Sequence, residues 1–497
     1  MLNRMKLVIL ALAAAVVLIG TAGAQRLVIA QGQDIVWLNP MKTTAQVNLN
    51  ASTQIVETLM DYSYEAGAVV PLLATSWERL DDLTMRVSLR QGVTFTNGEP
   101  FNAEAAAFSL TLAASEPAMS GSLSLVERVD VVDEYTIDVV TSKPDPLLDI
   151  SLSRASYMVP PAYFQEVGAE QFNVAPIGTG PYVLQERVPG ERVVLGSNAD
   201  YWGGAPEIAE VEFRPIQEDG ARLAALQAGE VQIATNMPHG LYDRLAASNG
   251  VAAVTVHGAR TMYLILDSRE GSVLKDVRLR QAINYAIDKE ALLDVLFAGR
   301  GTVLQGQMVT PDYNGFNDAL SAYPYDPERA RELLAAAGYP NGLTLDFKYP
   351  FGRYAGDRET SEAVAGMLEE VGIKTNQIVL EGGEFLSQLT TLQLTPMAFV
   401  GYATAPDAIY QYNINITGER YAYYSNPDYD ALVNAAATEM DPAKRLDLLK
   451  QIGQLGYDDP PYAYLFAPDD LYGVSDRVGG WVPRPDQGID LAGVTLD

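Results

Sequence analysis

Residues 343–402 read LTLDFKYPFGRYAGDRETSEAVAGMLEEVGIKTNQIVLEGGEFLSQLTTLQLTPMAFVGY. LTLDFKYP reads as a strand, Glu359 to Val371 as a helix, and TNQIVLE as a second strand. Glu384 to Leu392 is another helix, and it leads into the strand MAFVGY. Strand, helix and strand in alternation are the pattern of a parallel sheet with crossover helices. The fold class is therefore α/β.

Outward from this stretch the signals stay local. Asp326 is a good N-cap, Pro327 holds the first helical position, and Gly338 ends the helix between them. VRLRQAINYAIDKEALLDVLF is one long amphipathic helix or a helix pair. Towards the N-terminus, Arg26 to Ala30 is a strand, TMRVSLR (84–90) alternates as a half-buried strand, and Asn102 caps a helix. Asn50 to Tyr62 is expected to be helical, because Ile55, Val56, Leu59 and Met60 fall on one face. PIGTGPY (176–182) and WGGAP (202–206) are turns by composition.

The chain has 497 residues, too many for one core, so two or three lobes are expected. Its net charge of -29 argues against nucleic acid, whose phosphates need a basic surface. With no cysteine and two histidines, His239 and His257, thiolate chemistry and disulfides are excluded and no metal or other cofactor is expected. No G-x-S-x-G or H-E-x-x-H occurs, and the reading is not an enzyme. Arg4 and Lys6, the apolar run Leu7 to Gly20, and Ala22-Gly23-Ala24 have the form of a cleavable export signal over residues 1–24.

Four blocks resemble one family. LATSWERLDD with LRQGVTFTNGEPFNAEAAAFSL, PIGTGPYVLQE with NADYWGGAPEIAEVEFRPI, VRLRQAINYAIDKEALLDVLFAGRGT, and YPYDPERARELLAAAGYPNG stand in its order. The chain resembles the bacterial solute-binding proteins of peptide/nickel ABC importers. That resemblance implies a periplasmic-binding-protein fold of two hinged lobes with an inserted subdomain. Lobe 1 is expected at 25–55, 176–260 and 470–497, the insertion at 56–175, and lobe 2 at 261–469. It further implies an exported monomer that shuts over a small solute or short peptide and presents it to a membrane permease with its ATPase. Gly178 and Gly180 are the hinge candidates.

In peptide-holding relatives the strand matching MAFVG is followed by Trp-x-x-Asp, whose acid pairs with the peptide ammonium. Here the aromatic is Tyr402 and the acid's place is held by Ala405. Either Asp407 substitutes or the guest is not anchored by a free amine, so an N-acetylated tripeptide is expected to bind better than the free one. The other ligand candidates are Trp37, Arg353 as a carboxylate receiver, Tyr354, Thr404 and, more weakly, Tyr349, Tyr410 and Tyr412. Twenty-seven tyrosines suit an aromatic cleft, which keeps an oligosaccharide open as the alternative guest.

Overall fold

The computed structural model describes residues 25–497, so the expected export signal lies outside the described residues. β1 (Arg26–Gln31) is buried from Leu27 onward and pairs in parallel on both sides, which makes it a central strand. The chain then leaves this sheet. β2 (Met60–Ser63) and β3 (Ala68–Pro71) form a hairpin. β4 (Ala74–Arg79), β5 (Thr84–Leu89), β6 (Val126–Asp133) and β7 (Thr136–Thr141) form a four-stranded antiparallel sheet in the order β4-β5-β7-β6. On its return the chain adds β8 (Tyr182–Val188), β9 (Arg192–Ser197), β10 (Glu210–Pro215), β11 (Ile233–Ala234) and β12 (Val251–Val256) to the first sheet.

It crosses to a second sheet through His257, Gly258 and Ala259. That sheet holds β13 (Arg260–Leu266), β14 (Gly301–Val303), β15 (Leu343–Pro350), β16 (Ile373–Leu380), β17 (Met397–Ala403) and β18 (Tyr462–Pro468), in the order β14-β18-β13-β17-β15-β16. β15 runs parallel to both β16 and β17, as the alternation in 343–402 requires. The chain crosses back at Asp469 into β19 (Asp470–Ser475), which completes the first sheet in the order β12-β19-β11-β1-β10-β9-β8. β20 (Val478–Gly479) and β21 (Thr495–Leu496) pair as a short ribbon at the C-terminus. Separate apolar cores lie under the two large sheets.

Local capping works as read. Asn102 accepts from the Ala105 amide, and Asp326 accepts from the Arg329 amide. The stretch 277–297 is a helix pair, Val277–Ala286 and Lys289–Phe297, with Asp288 capping the second.

The helix expected over 50–62 is a correction. A helix spans Gln46–Ser52, and the chain then turns into β2. All four residues chosen for its apolar face are buried, but the backbone between them serves other chains of contact. Gln54 and Ile55 give their carbonyls to the Tyr182 and Gly180 amides at 3.0 and 2.9 Å, and Glu57 gives its carbonyl to Met158 at 2.8 Å. A helix would consume those acceptors internally.

Candidate functional site

A cavity of about 590 Å³, within the range of sites for small ligands, opens in the first lobe. Its walls come from the helix Gln46–Ser52 and the turn after it, from β2, from the end of the helix Leu148–Ala155, from the loop after Asp200, and from residues 484–493. All of these belong to the first lobe, its insertion or the C-terminal segment.

Glu57 lies at the base. Its carboxylate accepts from Thr179 Oγ1 at 2.7 Å, Tyr201 Oη at 2.7 Å and Trp202 Nε1 at 2.9 Å. Burial pushes this carboxyl up, and the three donors pull against it. Arg90 stacks over Trp202 at 4.2 Å. The PIGTGPY and ADYWGG motifs therefore meet here as a structural knot beneath the cavity.

The two arginines on the wall differ. Arg484 is spent: it reaches Asp61 at 3.2 Å and Asp486 at 3.1 Å, and also the carbonyl of Tyr62. Burial opposes the charge on Arg484, but the two carboxylates outweigh it. Asp486 is held below the usual carboxylate range because the adjacent guanidinium outweighs its own burial. Arg154 is exposed, and among the described residues its guanidinium makes no ion pair and no hydrogen bond. A last-turn arginine does answer the negative end of its own helix. That role leaves the guanidinium's hydrogen-bond donors unused.

The second lobe meets this region at Tyr410, whose hydroxyl is 3.3 Å from Ser151 on the helix that carries Arg154. A two-lobed architecture with two crossings, and a ligand-sized cavity beside the contact between lobes, suits a protein that shuts over a guest. The family model for bacterial extracellular solute-binding proteins, family 5 Middle, matches residues 68–424.

The chain belongs to family 5 of the bacterial extracellular solute-binding proteins.

Family 5 proteins are substrate-binding components of transporters. The chain is 27% identical over 481 residues to heme-binding protein A of Haemophilus influenzae, covering 90% of this chain and 88% of that one. It is 26% identical over 513 residues to the glutathione-binding protein GsiB of Escherichia coli strain K12, covering 99% of both. Among solved structures, the periplasmic binding protein DppA of Helicobacter pylori in complex with the peptide STSA superposes with a TM-score of 0.80. It is 23% identical and covers 95% of this chain and 98% of that one.

Within this family 5 frame, none of the sequence-chosen ligand residues lines the cavity. Tyr410 reaches the helix that carries Arg154 through its Ser151 contact. Asp407 is a correction. It is 1% exposed and bound by Arg445 through two contacts, at 2.7 and 2.8 Å, with Asn314 at 2.7 Å and the Ile409 amide at 3.1 Å. A carboxylate so committed has no lone pair left for an ammonium. Tyr349 and Tyr412 are also corrected, as buried members of the second lobe's core. The Tyr349 hydroxyl is 2.9 Å from Gln377.

Arg353 and Tyr354 form a separate stack, with Arg353 at 5.3 Å and Arg260 at 5.6 Å from the Tyr354 ring. Tyr402 packs among Tyr263, Tyr421 and Tyr462, and its hydroxyl is buried without a partner. Thr404 bonds the carbonyl of Ala405. Trp37 is half-buried, and its amide is held by Asn48. The tyrosine wealth is thus largely interior to the second lobe, where Tyr263, Tyr349, Tyr412, Tyr424, Tyr429, Tyr462 and Tyr464 are fully buried.

Gly178 and Gly180 do not lie at a crossing. A Cβ on either would sit 2.0 Å from the Ile55 carbonyl oxygen or 2.5 Å from that of Gln54, so they are needed for close backbone approach within the first lobe. The crossing glycine is Gly258, whose Cβ would come within 2.5 Å of the Pro468 carbonyl.

Arg154, on the cavity wall, is not among the residues the sequence singles out. Its one signal is a lone arginine in the otherwise small and apolar run SLSRASYMVP.

Proposed function

We propose that this chain is an exported, monomeric binding protein that captures a small peptide or peptide-like solute by its carboxylate on Arg154. The second lobe shuts over the guest, and the shut form is presented to an ABC-importer permease with its ATPase; no bond is made or broken. The observation that carries this reading is a guanidinium, unpaired among the described residues, on the wall of a ligand-sized cavity in a chain with 63 acidic and 34 basic residues. A free arginine in so acidic a protein is a selective place for an anion. Relatives described as binding glutathione or a peptide support the peptide class.

The direct check is calorimetric titration with a tripeptide panel. Amidating the C-terminus of a bound tripeptide, or making Arg154→Ala, is expected to weaken binding by about 10–100-fold, since hydrogen bonds to a charged group contribute about 1.5–3 kcal/mol. Unchanged affinity in both cases would remove Arg154 from the site. Because Ala405 supplies no acid and Asp407 is bound to Arg445, N-acetylating the same peptide is expected to leave affinity unchanged or raise it. A loss on acetylation would show that an acid of the cavity wall takes the amine.

A neutral oligosaccharide is the second reading. Tyr62, Tyr157, Tyr182 and Tyr201 line the cavity, and tyrosine faces suit sugar rings. Binding of that kind would be insensitive to Arg154→Ala.

A further inference from the structure

The C-terminal segment touches three things at once. Arg484 ties it to Asp61 and to the Tyr62 carbonyl on β2, while Asp486 and Gly488 line the cavity. The Pro485 carbonyl accepts from Ala259 at 3.0 Å, on one crossing between the lobes. Gln487 donates through its side chain to Asp470 at 2.7 Å, on the other crossing. Gln487 does this with φ of 63°, a left-handed conformation that costs a glutamine free energy and is kept only where its surroundings hold it. Its own amide donates to Arg484 at 3.0 Å, and the next amide, of Gly488, donates to Asp486 at 2.9 Å.

We propose that residues 484–488 are the element that couples the cavity wall to the hinge, with Gln487 on Asp470 as the latch of the shut arrangement. This concerns closure rather than the identity of the guest, so its failure would leave the binding reading untouched.

Asp470 is half-buried at the crossing, with its Oδ2 turned towards Gly258. Three charged groups and one amide face it. Arg260 on β13 and Gln487 on the segment favour its ionised form; Asp469 beside it and Asp486 on the segment oppose that form. Tyr472, on the same strand, stays neutral. His257 pairs with the Asp469 carboxylate at 3.0 Å, and His239 bonds the Asp469 carbonyl at 2.8 Å. Burial dominates this balance and pushes the Asp470 carboxyl up to about 7.

Opening the hinge at this crossing would expose the half-buried carboxylate further and return it towards its ordinary range. The shut form therefore binds the proton more tightly. Its advantage is full below the ordinary carboxylate range and is lost as pH rises through about 7.

The absence of cysteine allows two nitroxide labels to be placed without background, at Val174→Cys and Val295→Cys. These positions are 56% and 80% exposed, on the two sides of the hinge. Electron–electron distance measurements on the ligand-free protein should show the shut-to-open ratio falling by roughly tenfold or more between about pH 5.5 and about pH 8. Asp470→Asn should abolish that dependence. Gln487→Ala removes a donor to the ionised form, so the midpoint should move to higher pH; this also keeps the test decisive if Asp470→Asn fails to fold. A ratio constant across pH in the unmodified hinge, or a dependence that survives Asp470→Asn with an unmoved midpoint in Gln487→Ala, would overturn the proposal.

Discussion

Arg445→Met is expected to destabilise the protein by about 3–5 kcal/mol, read as a lowered urea midpoint at unchanged slope. Arg445 and Asp407 are 4% and 1% exposed. The guanidinium spans both carboxylate oxygens, at 2.8 Å to one and 2.7 Å to the other, and its Nε reaches the Ala436 carbonyl at 3.2 Å. Removing the arginine leaves a charge in the second lobe's interior with only Asn314 and one amide for company. Desolvating that charge without its partner is what costs the free energy, rather than the loss of the pair's own attraction. Asp407→Leu combined with Arg445→Met should therefore lose less than the sum of the two single changes. Asp407→Asn should lower stability while leaving the affinity of the folded protein for its guest unchanged. A binding defect in Asp407→Asn without a stability defect would return Asp407 to the ligand site.

Gly178→Ala should be comparably damaging, on the order of 3–5 kcal/mol. The added methyl would stand 2.0 Å from the Ile55 carbonyl oxygen and 2.9 Å from the Val56 Cα. These are backbone atoms that no rotamer change can move aside. Separating the segments would strain the bonds from Gly180 to Ile55, from Tyr182 to Gln54 and from Thr96 to Gly178, which are 2.9, 3.0 and 3.0 Å long. Gly366→Ala is the contrast. Gly366 lies inside the helix Asp357–Glu370 with open space around its missing Cβ, so alanine should stabilise by about 0.5–1 kcal/mol. Thermal unfolding of the two variants side by side checks both signs, and equal effects would mean that Gly178 is an ordinary turn residue.

The parts of the fold that were legible are those whose determinants are close in sequence. The alternation in 343–402, the caps Asn102 and Asp326, and the stop at Gly338 each depend on neighbours a few residues away. The segment 50–62 misleads because its acceptors are claimed by Met158, Gly180 and Tyr182, which no local window contains. The site fails for the same reason. Asp407 looks free beside Tyr402 and Thr404, but its partner Arg445 is 38 residues on. Arg154 looks like an ordinary surface arginine in sequence, and the C-terminal segment that lines the same cavity lies more than three hundred residues later. Tyrosine content is equally silent about place, since it counts core and cleft alike.

The central claim is that a guest's acidic group rests on Arg154 inside the first-lobe cavity. Native mass spectrometry of the protein purified without unfolding, beside Arg154→Ala prepared identically, tests it most directly. The account predicts a bound small solute bearing a carboxylate in the first sample and its loss from the second. Equal retention in both samples, or a bound solute with no acidic group, would contradict it.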